Sequence, residues 1–425
     1  MAANPDMLNG AVPAGSRPKD SAMRAEWRAH WPAALTASIG VATGYSMFQY
    51  NASQFIQPWQ QAFGWSRGEI AIAQNGLIVA ALLSPVAGML LDRYGVRRPL
   101  LAAIVATVLA YGAMALNNGS LALFYGTYFI LQIVGLLTTG LAFTRVVAER
   151  FDASCGLALA STRIGLSLFG IFLPSLLHSV IAGYGWRSGF LLLAAILLLV
   201  GLPVSFFGVR PVKRAAGGVP AADHSRPTRV IGGAIGWRTI MICLAAGFGY
   251  APITAILSQL QPLLTGKGLA GSEAAMLTGL LAGSVILGVV ITGLLVDRIW
   301  APLVAAVVTL APVGGLLILL LDDPSLTLLA AAVTLIGMAQ GAEIDLVAFL
   351  VRRYHPLNHY SRIYGLTILC NILFGIVGHV GMAFVYDATG DYRIGLLACI
   401  GSLILSVAAF LALGRYPQLQ TQRTP

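Results

Sequence analysis

Predominantly apolar runs of about 20–30 residues with few charges, repeated from residue 33 to residue 415, constrain this chain more than any other feature. A helix needs about 20 apolar residues to cross the hydrocarbon core of a bilayer. The runs lie at 33–57, 69–91, 98–117, 120–148, 155–182, 186–209, 237–263, 272–296, 301–321, 325–351, 361–386 and 392–415. With 57% hydrophobic residues, 10% charged residues and a mean hydropathy of +0.81, the composition excludes an ordinary water-soluble globule. The expected fold is an all-α membrane protein of twelve transmembrane helices.

An even number of spans puts both termini on one side, and basic residues should gather there if that side is cytoplasmic. Of the 26 Lys and Arg residues, only Arg67, Arg187, Lys267 and Arg393 fall on the opposite side, and Arg145 and Arg163 fall within spans. Cytoplasmic termini in a cell membrane follow, and the net charge of +10 reads as topology, not as a nucleic-acid footprint. The first thirty residues lack an apolar core, so no cleavable signal peptide is expected there. The expected organisation is a disordered tail at 1–30, a bundle at 31–209, a flexible linker at 210–236, a second bundle at 237–416 and a tail at 417–425. The linker is rich in Pro, Gly and basic residues. Trp27, Trp31, Trp59, Trp65, Trp186, Trp237 and Trp300 sit at or beyond span ends, the pattern of an interfacial aromatic belt. Cys155, Cys243, Cys370 and Cys399 show no paired spacing, so neither a zinc site nor a disulfide frame is indicated.

An internal repeat sets the architecture. Gly88-x-x-x-Asp92-Arg93 recurs as Gly293-x-x-x-Asp297-Arg298, Gly44-Tyr45 as Gly249-Tyr250, and Ser53-Gln54 as Ser258-Gln259, at a common offset of 205. Two six-helix pseudo-symmetric bundles in parallel repeat are expected, with a binding site between them near the bilayer midplane.

The charged hinge between the second and third spans reads Gly88-Met-Leu-Leu-Asp92-Arg93-Tyr-Gly95-Val-Arg97-Arg98. This pattern resembles the loop between the second and third helices of the major facilitator superfamily of transporters. Gly64-Trp65-Ser66-Arg67, Glu149-Arg150-Phe151 with Gly156-Leu157-Ala158-Leu159, Gly341 to Asp345 with Arg362 to Gly365, and Asp387 to Arg393 are similar to the monocarboxylate transporter and oxalate/formate antiporter branch. The resemblance implies transport of small organic anions, with a proton or in exchange. It also implies that Asp92, with Arg145, Glu149 and Arg150, forms a charge network that holds one conformational state, with Asp297 and Arg298 as the second-half counterparts. The chain departs from the branch where the branch carries basic residues: the span 272–296 has none, and the eleventh span has Asn371 and His379 instead of a lysine.

Charges and strong hydrogen bonders inside a bilayer cost about 2.5–3.5 kcal/mol by insertion scales, so they normally face a cavity or a partner. Tyr45, Gln49 and Gln54 in the first span, and Tyr250 and Gln259 in the seventh, are candidate substrate contacts, with helix-to-helix hydrogen bonding as the alternative. Asn371 and His379 are candidates in the eleventh span. His355 and His359 have metal-like spacing but read as an exposed loop, so no metal and no cofactor is expected. Glu343 and Asp345 are proton-coupling candidates; two residues apart on a helix they point about 200° apart, so they cannot both face a cavity. Arg163 lies about 9 Å from the middle of its span, with no acidic residue three or four positions away, and its fork suits a carboxylate. The alternative is an ion pair between the halves, to Glu343 or Asp345.

No nucleotide loop, paired metal motif or nucleophile elbow supports an ATP-driven pump or a membrane hydrolase. The expected function is secondary transport of a small, monocarboxylate-like organic anion by proton symport, by a monomer in the bilayer. An anion exchanger or a drug or siderophore exporter is the alternative within transport.

Overall fold

In a computed structural model the described residues are 19–74, 76–210 and 236–416, and all their regular structure is helical. The expected linker and the outermost tails fall largely outside them. The helices are α1 (Lys19–Thr43), α2 (Tyr45–Gln49), α3 (Ile56–Phe63), α4 (Arg67–Gln74), α5 (Gly76–Tyr94), α6 (Arg97–Ala115), α7 (Leu121–Gly135), α8 (Gly140–Ala148), α9 (Cys155–Tyr184), α10 (Trp186–Ile196), α11 (Leu202–Gly208), α12 (Trp237–Gly266), α13 (Gly271–Val296), α14 (Ala301–Leu319), α15 (Leu326–Tyr354), α16 (Tyr360–Thr389) and α17 (Arg393–Ala412). Eleven of the described helical segments are long and apolar enough to cross a membrane. The first span is shared between α1 and the short helices that follow it. α1 starts at Lys19, so residues 19–30 are helical where a disordered tail was expected.

The break in the first span has a partner. α1 stops at Thr43, Gly44 turns extended with ψ −163°, and the Tyr45 N–H donates to Thr138 Oγ1 at 2.9 Å. Thr138 itself lies at a second interruption, the 3-10 turn Leu136–Thr138 between α7 and α8. The second break thus satisfies a backbone N–H freed by the first, which is how irregular backbone survives at membrane depth.

Large exposed side chains such as Leu109, Phe172, Val377 and Phe384 form the outer apolar surface expected of a bilayer protein. The tryptophans divide. Trp31 and Trp237 are half exposed, whereas Trp59, Trp65 and Trp186 are buried with Phe55, Phe63, Phe124 and Phe190. Ring centroids lie 4.3 Å apart for Phe55 and Phe190, and 4.9 Å for Trp59 and Phe124. A belt was expected there, but these indoles gain more from ring packing inside the first bundle than from the interface.

The two halves meet most closely along α5 with α16 and along α9 with α13. Gly88 makes the first approach possible, because a Cβ there would run into the Ser361 backbone. Ser84 Oγ donates to the Gly365 carbonyl at 2.6 Å along the same seam.

Candidate functional site

Between the halves is a cavity of about 230 Å³, walled by α1, α2, α5, α7–α9, α12, α15 and α16. Arg163 of α9 enters it from the first half and Asp345 of α15 from the second, with Nε 3.9 Å from Oδ2. Their side chains are 20% and 10% exposed, so the pair is screened from bulk water yet open to a small solute. At 3.9 Å the contact is an ion pair without a hydrogen bond, and Asp345 Oδ2 has no hydrogen-bond partner among the described residues.

Of the residues singled out in the sequence, Tyr45, Gln49, Tyr250 and Asn371 line this cavity with Arg163 and Asp345. Tyr45 and Gln49, one helical turn apart, share the cavity face, and the repeat-related Tyr45 and Tyr250 come from both halves. Gln54 and Gln259 do not line it. Gln54 donates to Asn51 Oδ1 and to the Pro174 carbonyl, both at 3.2 Å, and Gln259 accepts from the Tyr392 hydroxyl at 3.1 Å, so each joins helices within its own half. His379 is exposed further along α16, outside the lining. Glu343 is 6% exposed and also lies outside the lining. Asn371, with its amide oriented to use both hydrogens, donates to the carbonyls of Ala246 at 3.1 Å and Thr367 at 3.3 Å.

Tyr364, Thr139 and Gln132 also line the cavity and were not among the candidates. Gln132 carried the same signal as Gln49, an amide inside an apolar run; its Nε2 donates to the Ala73 carbonyl at 2.9 Å. Tyr364 belongs to the Arg362 to Gly365 motif, which by itself does not mark it as a cavity residue.

The charged hinge lies at the end of the bundle that carries the described N-terminus. Asp92 pairs with Arg145 and accepts the backbone N–H groups of Ser361 at 3.1 Å and Arg362 at 3.0 Å. These N–H groups belong to the first turn of α16, whose own helix leaves them unpaired. Arg145 also holds Glu149 at 2.8 Å and Ser361 Oγ at 2.9 Å. Asp297 accepts the first-turn N–H groups of α9, from Gly156 at 2.7 Å and Leu157 at 2.9 Å. Arg150 does not join the expected network and donates instead to the carbonyls of Val146 and Arg210. Arg93 lies over Tyr94, Arg97 reaches the Phe206 carbonyl at 3.2 Å, Arg98 is exposed, Gly95 ends α5 at φ +74°, and Arg298 turns to the Leu294 carbonyl at 3.4 Å. Arg353 adds a contact between the halves, 3.0 Å from Asp152. Glu26 accepts the N–H groups of Asp152, Ala153 and Ser154; burial opposes its charge, but these bonds outweigh it and hold the carboxyl below its usual value. His355 Nε2 meets Thr239 Oγ1 at 3.0 Å, and His359 meets Arg362.

A sequence model of the Major Facilitator Superfamily matches residues 35–379. The chain belongs to the major facilitator superfamily. As a member it is a multi-pass membrane transporter of small molecules, not an enzyme. It is 24% identical over 354 residues to an uncharacterized transporter, YycB, of Bacillus subtilis, covering 80% of this chain and 82% of that protein. Monocarboxylate transporter 11 of Mus musculus is 26% identical over 363 residues, covering 81% and 77%. In fold, this major facilitator protein is similar to the transporter FucP in its outward conformation, with a TM-score of 0.71 at 18% identity over 90% of this chain and 98% of that one. It is also similar to a bacterial homologue of the iron transporter ferroportin in the outward-facing state, with a TM-score of 0.69 at 14% identity over 90% and 99%.

Proposed function

We propose that this major facilitator protein carries a small organic anion across the cell membrane by alternating access, together with a proton. The observation that carries the reading is Arg163: a guanidinium in the cavity between the halves, facing one carboxylate at 3.9 Å without a hydrogen bond. A substrate carboxylate can take the fork in two parallel hydrogen bonds, which the observed contact with Asp345 does not use. The cavity's 230 Å³ suits a molecule of a few heavy atoms, and Tyr45, Gln49, Tyr250 and Asn371 supply polar contacts for its remainder. The likeness to a monocarboxylate transporter supports the same substrate class.

Charge balance supports proton coupling. Arg163 is one cation paired with Asp345, a second carboxyl, Glu343, is buried two residues away on α15, and uncompensated charge in the membrane interior is costly. An arriving anion adds a further negative charge, which a bound proton offsets. The basic-residue bias supports a cytoplasmic placement of the terminus-bearing end. The contacts of Asp92, Asp297 and Arg353 between the halves then close the cytoplasmic side, an outward-facing arrangement. Uptake of labelled lactate, pyruvate and other small carboxylates into proteoliposomes, with and without an inward proton gradient, tests this. Accumulation of at least one acid that collapses with the gradient is expected. Exchange without any response to the gradient would make the protein an antiporter, and no uptake of any acid would overturn the anion assignment.

A further inference from the structure

Glu343 is the buried acid that the anion site leaves unused. It stands two residues before Asp345 on α15 and turns away from the cavity toward α12 and α17. Gly249 of α12 makes room for it: a Cβ at that glycine would sit 3.0 Å from Glu343 Oε1 and 3.2 Å from Ser406 Oγ. Among the described residues neither carboxyl oxygen has a hydrogen-bond partner. Ser406 gives its hydroxyl hydrogen to the Ala245 carbonyl at 2.6 Å. Among the described residues, the ionisable groups bearing on Glu343 are Tyr250 of α12 and Arg163 of α9, and Arg163 is paired with Asp345.

The other half shows what an acceptor at this place does. The offset of 205 that relates Gly44-Tyr45 to Gly249-Tyr250 also relates Thr138 to Glu343. Thr138 gives its hydroxyl hydrogen to the Gly135 carbonyl at 2.7 Å and accepts the Tyr45 N–H at 2.9 Å, and the first span is broken at Gly44. In the second half the equivalent glycine lies within an unbroken α12. A break at Gly249 would free the Ala246 carbonyl, four residues before Tyr250, and that carbonyl already has a second donor in the Asn371 amide at 3.1 Å.

We propose that Glu343 is a proton-binding site inside the second bundle, separate from the anion site, and that its carboxylate, once the proton has left, takes the Tyr250 N–H and breaks α12 at Gly249. This deepens the proton-coupled reading above and rests on it for its role in transport. The carboxyl O–H bond breaks as a new O–H bond forms on the accepting water molecule, and the Tyr250 N–H exchanges the Ala246 carbonyl for the Glu343 carboxylate. Because Tyr250 lines the cavity, the break reshapes the anion site and ties its affinity to the proton. With the proton bound, the carboxyl is neutral and α12 stays continuous, and a continuous α12 is what the structure contains.

The test uses the full-length protein without any transported anion. Infrared difference spectra across a pH titration should contain the C=O band of a carboxylic acid shielded from water, absent from Glu343→Gln, displaced but present in Glu343→Asp, and kept in Asp345→Asn. Hydrogen exchange of the segment 246–254, read by mass spectrometry, should be several-fold faster in the wild type than in Glu343→Gln at a pH where the band has disappeared, and equal where the band is present. A band that survives in Glu343→Gln, or that is missing from the wild type throughout, overturns the proton site. Equal exchange at both pH values overturns the break. Neither readout involves an anion, so a failure here is distinct from a failure of anion binding at Arg163.

Discussion

Asp92 and Asp297 stand at equivalent places in the two halves, and each caps the first turn of a helix in the opposite half, Asp92 on α16 and Asp297 on α9. The sequence repeat thus becomes a pair of reciprocal clamps on one end of the molecule. A carboxylate at a helix N-terminus contributes about 1 kcal/mol through the orphan N–H groups and the helix dipole. Both clamps break when the halves separate at that end, so they stabilise one conformation over the other.

Asp92→Asn and Asp297→Asn should each shift the conformational equilibrium about fivefold toward opening at that end, in line with about 1 kcal/mol per clamp. Alkylation rates of a cysteine introduced on the seam between α5 and α16 should rise accordingly, with transport slowed. Loss of anion binding with unchanged alkylation would contradict this role.

Arg163→Lys keeps the charge but loses the fork, and should weaken carboxylate affinity about tenfold; Arg163→Gln should weaken it by a hundredfold or more. Titration calorimetry on the folded protein in detergent measures both. An unchanged affinity in the glutamine variant would remove Arg163 as the anchor.

On the proposed reading, Asp345 and a substrate carboxylate would compete for the Arg163 guanidinium, which lies 3.9 Å from Asp345. Asp345→Asn should therefore bind the anion several-fold more tightly at neutral pH, in contrast to the loss expected of Arg163 variants. Weaker binding in Asp345→Asn would mean that the aspartate orients Arg163 and does not compete with the substrate.

Glu26 is outside the membrane-spanning segments and is held ionised below its ordinary value by three backbone N–H groups, against the opposing effect of partial burial. A carboxyl with a depressed folded-state pKa contributes stability that is fully present above its unfolded value of about 4.5 and is lost as the pH falls through the folded value. Glu26→Gln should lower the melting temperature at neutral pH, and its gap from the wild type should close on acidification below that range. A gap independent of pH would show that the charge is not what holds the loop.

The membrane class, the near-complete set of spans, the two-fold repeat and the clamp motif were legible in the sequence. Each depends on local composition or spacing: apolar length sets a span, and a glycine and aspartate four residues apart set a hinge. Tyr45 and Gln49 were legible for the same reason, since one helical turn puts them on one face. Gln54 and Gln259 satisfied the same polarity test but turn to Pro174 and Tyr392, because helix rotation is set by packing partners distant in sequence. The burial of Trp59 and Trp65 against Phe124 likewise required α3, α7 and the loop between α3 and α4 to be brought together.

The sequence alone determined that Glu343 and Asp345 face different ways, because two residues on a helix turn the chain by about 200°. Which of them meets Arg163 was a tertiary outcome. The ion pair joins α9 of one half to α15 of the other, and the rotation of α15 is fixed where Gly249 leaves space for the Glu343 side chain, which turns Asp345 into the cavity.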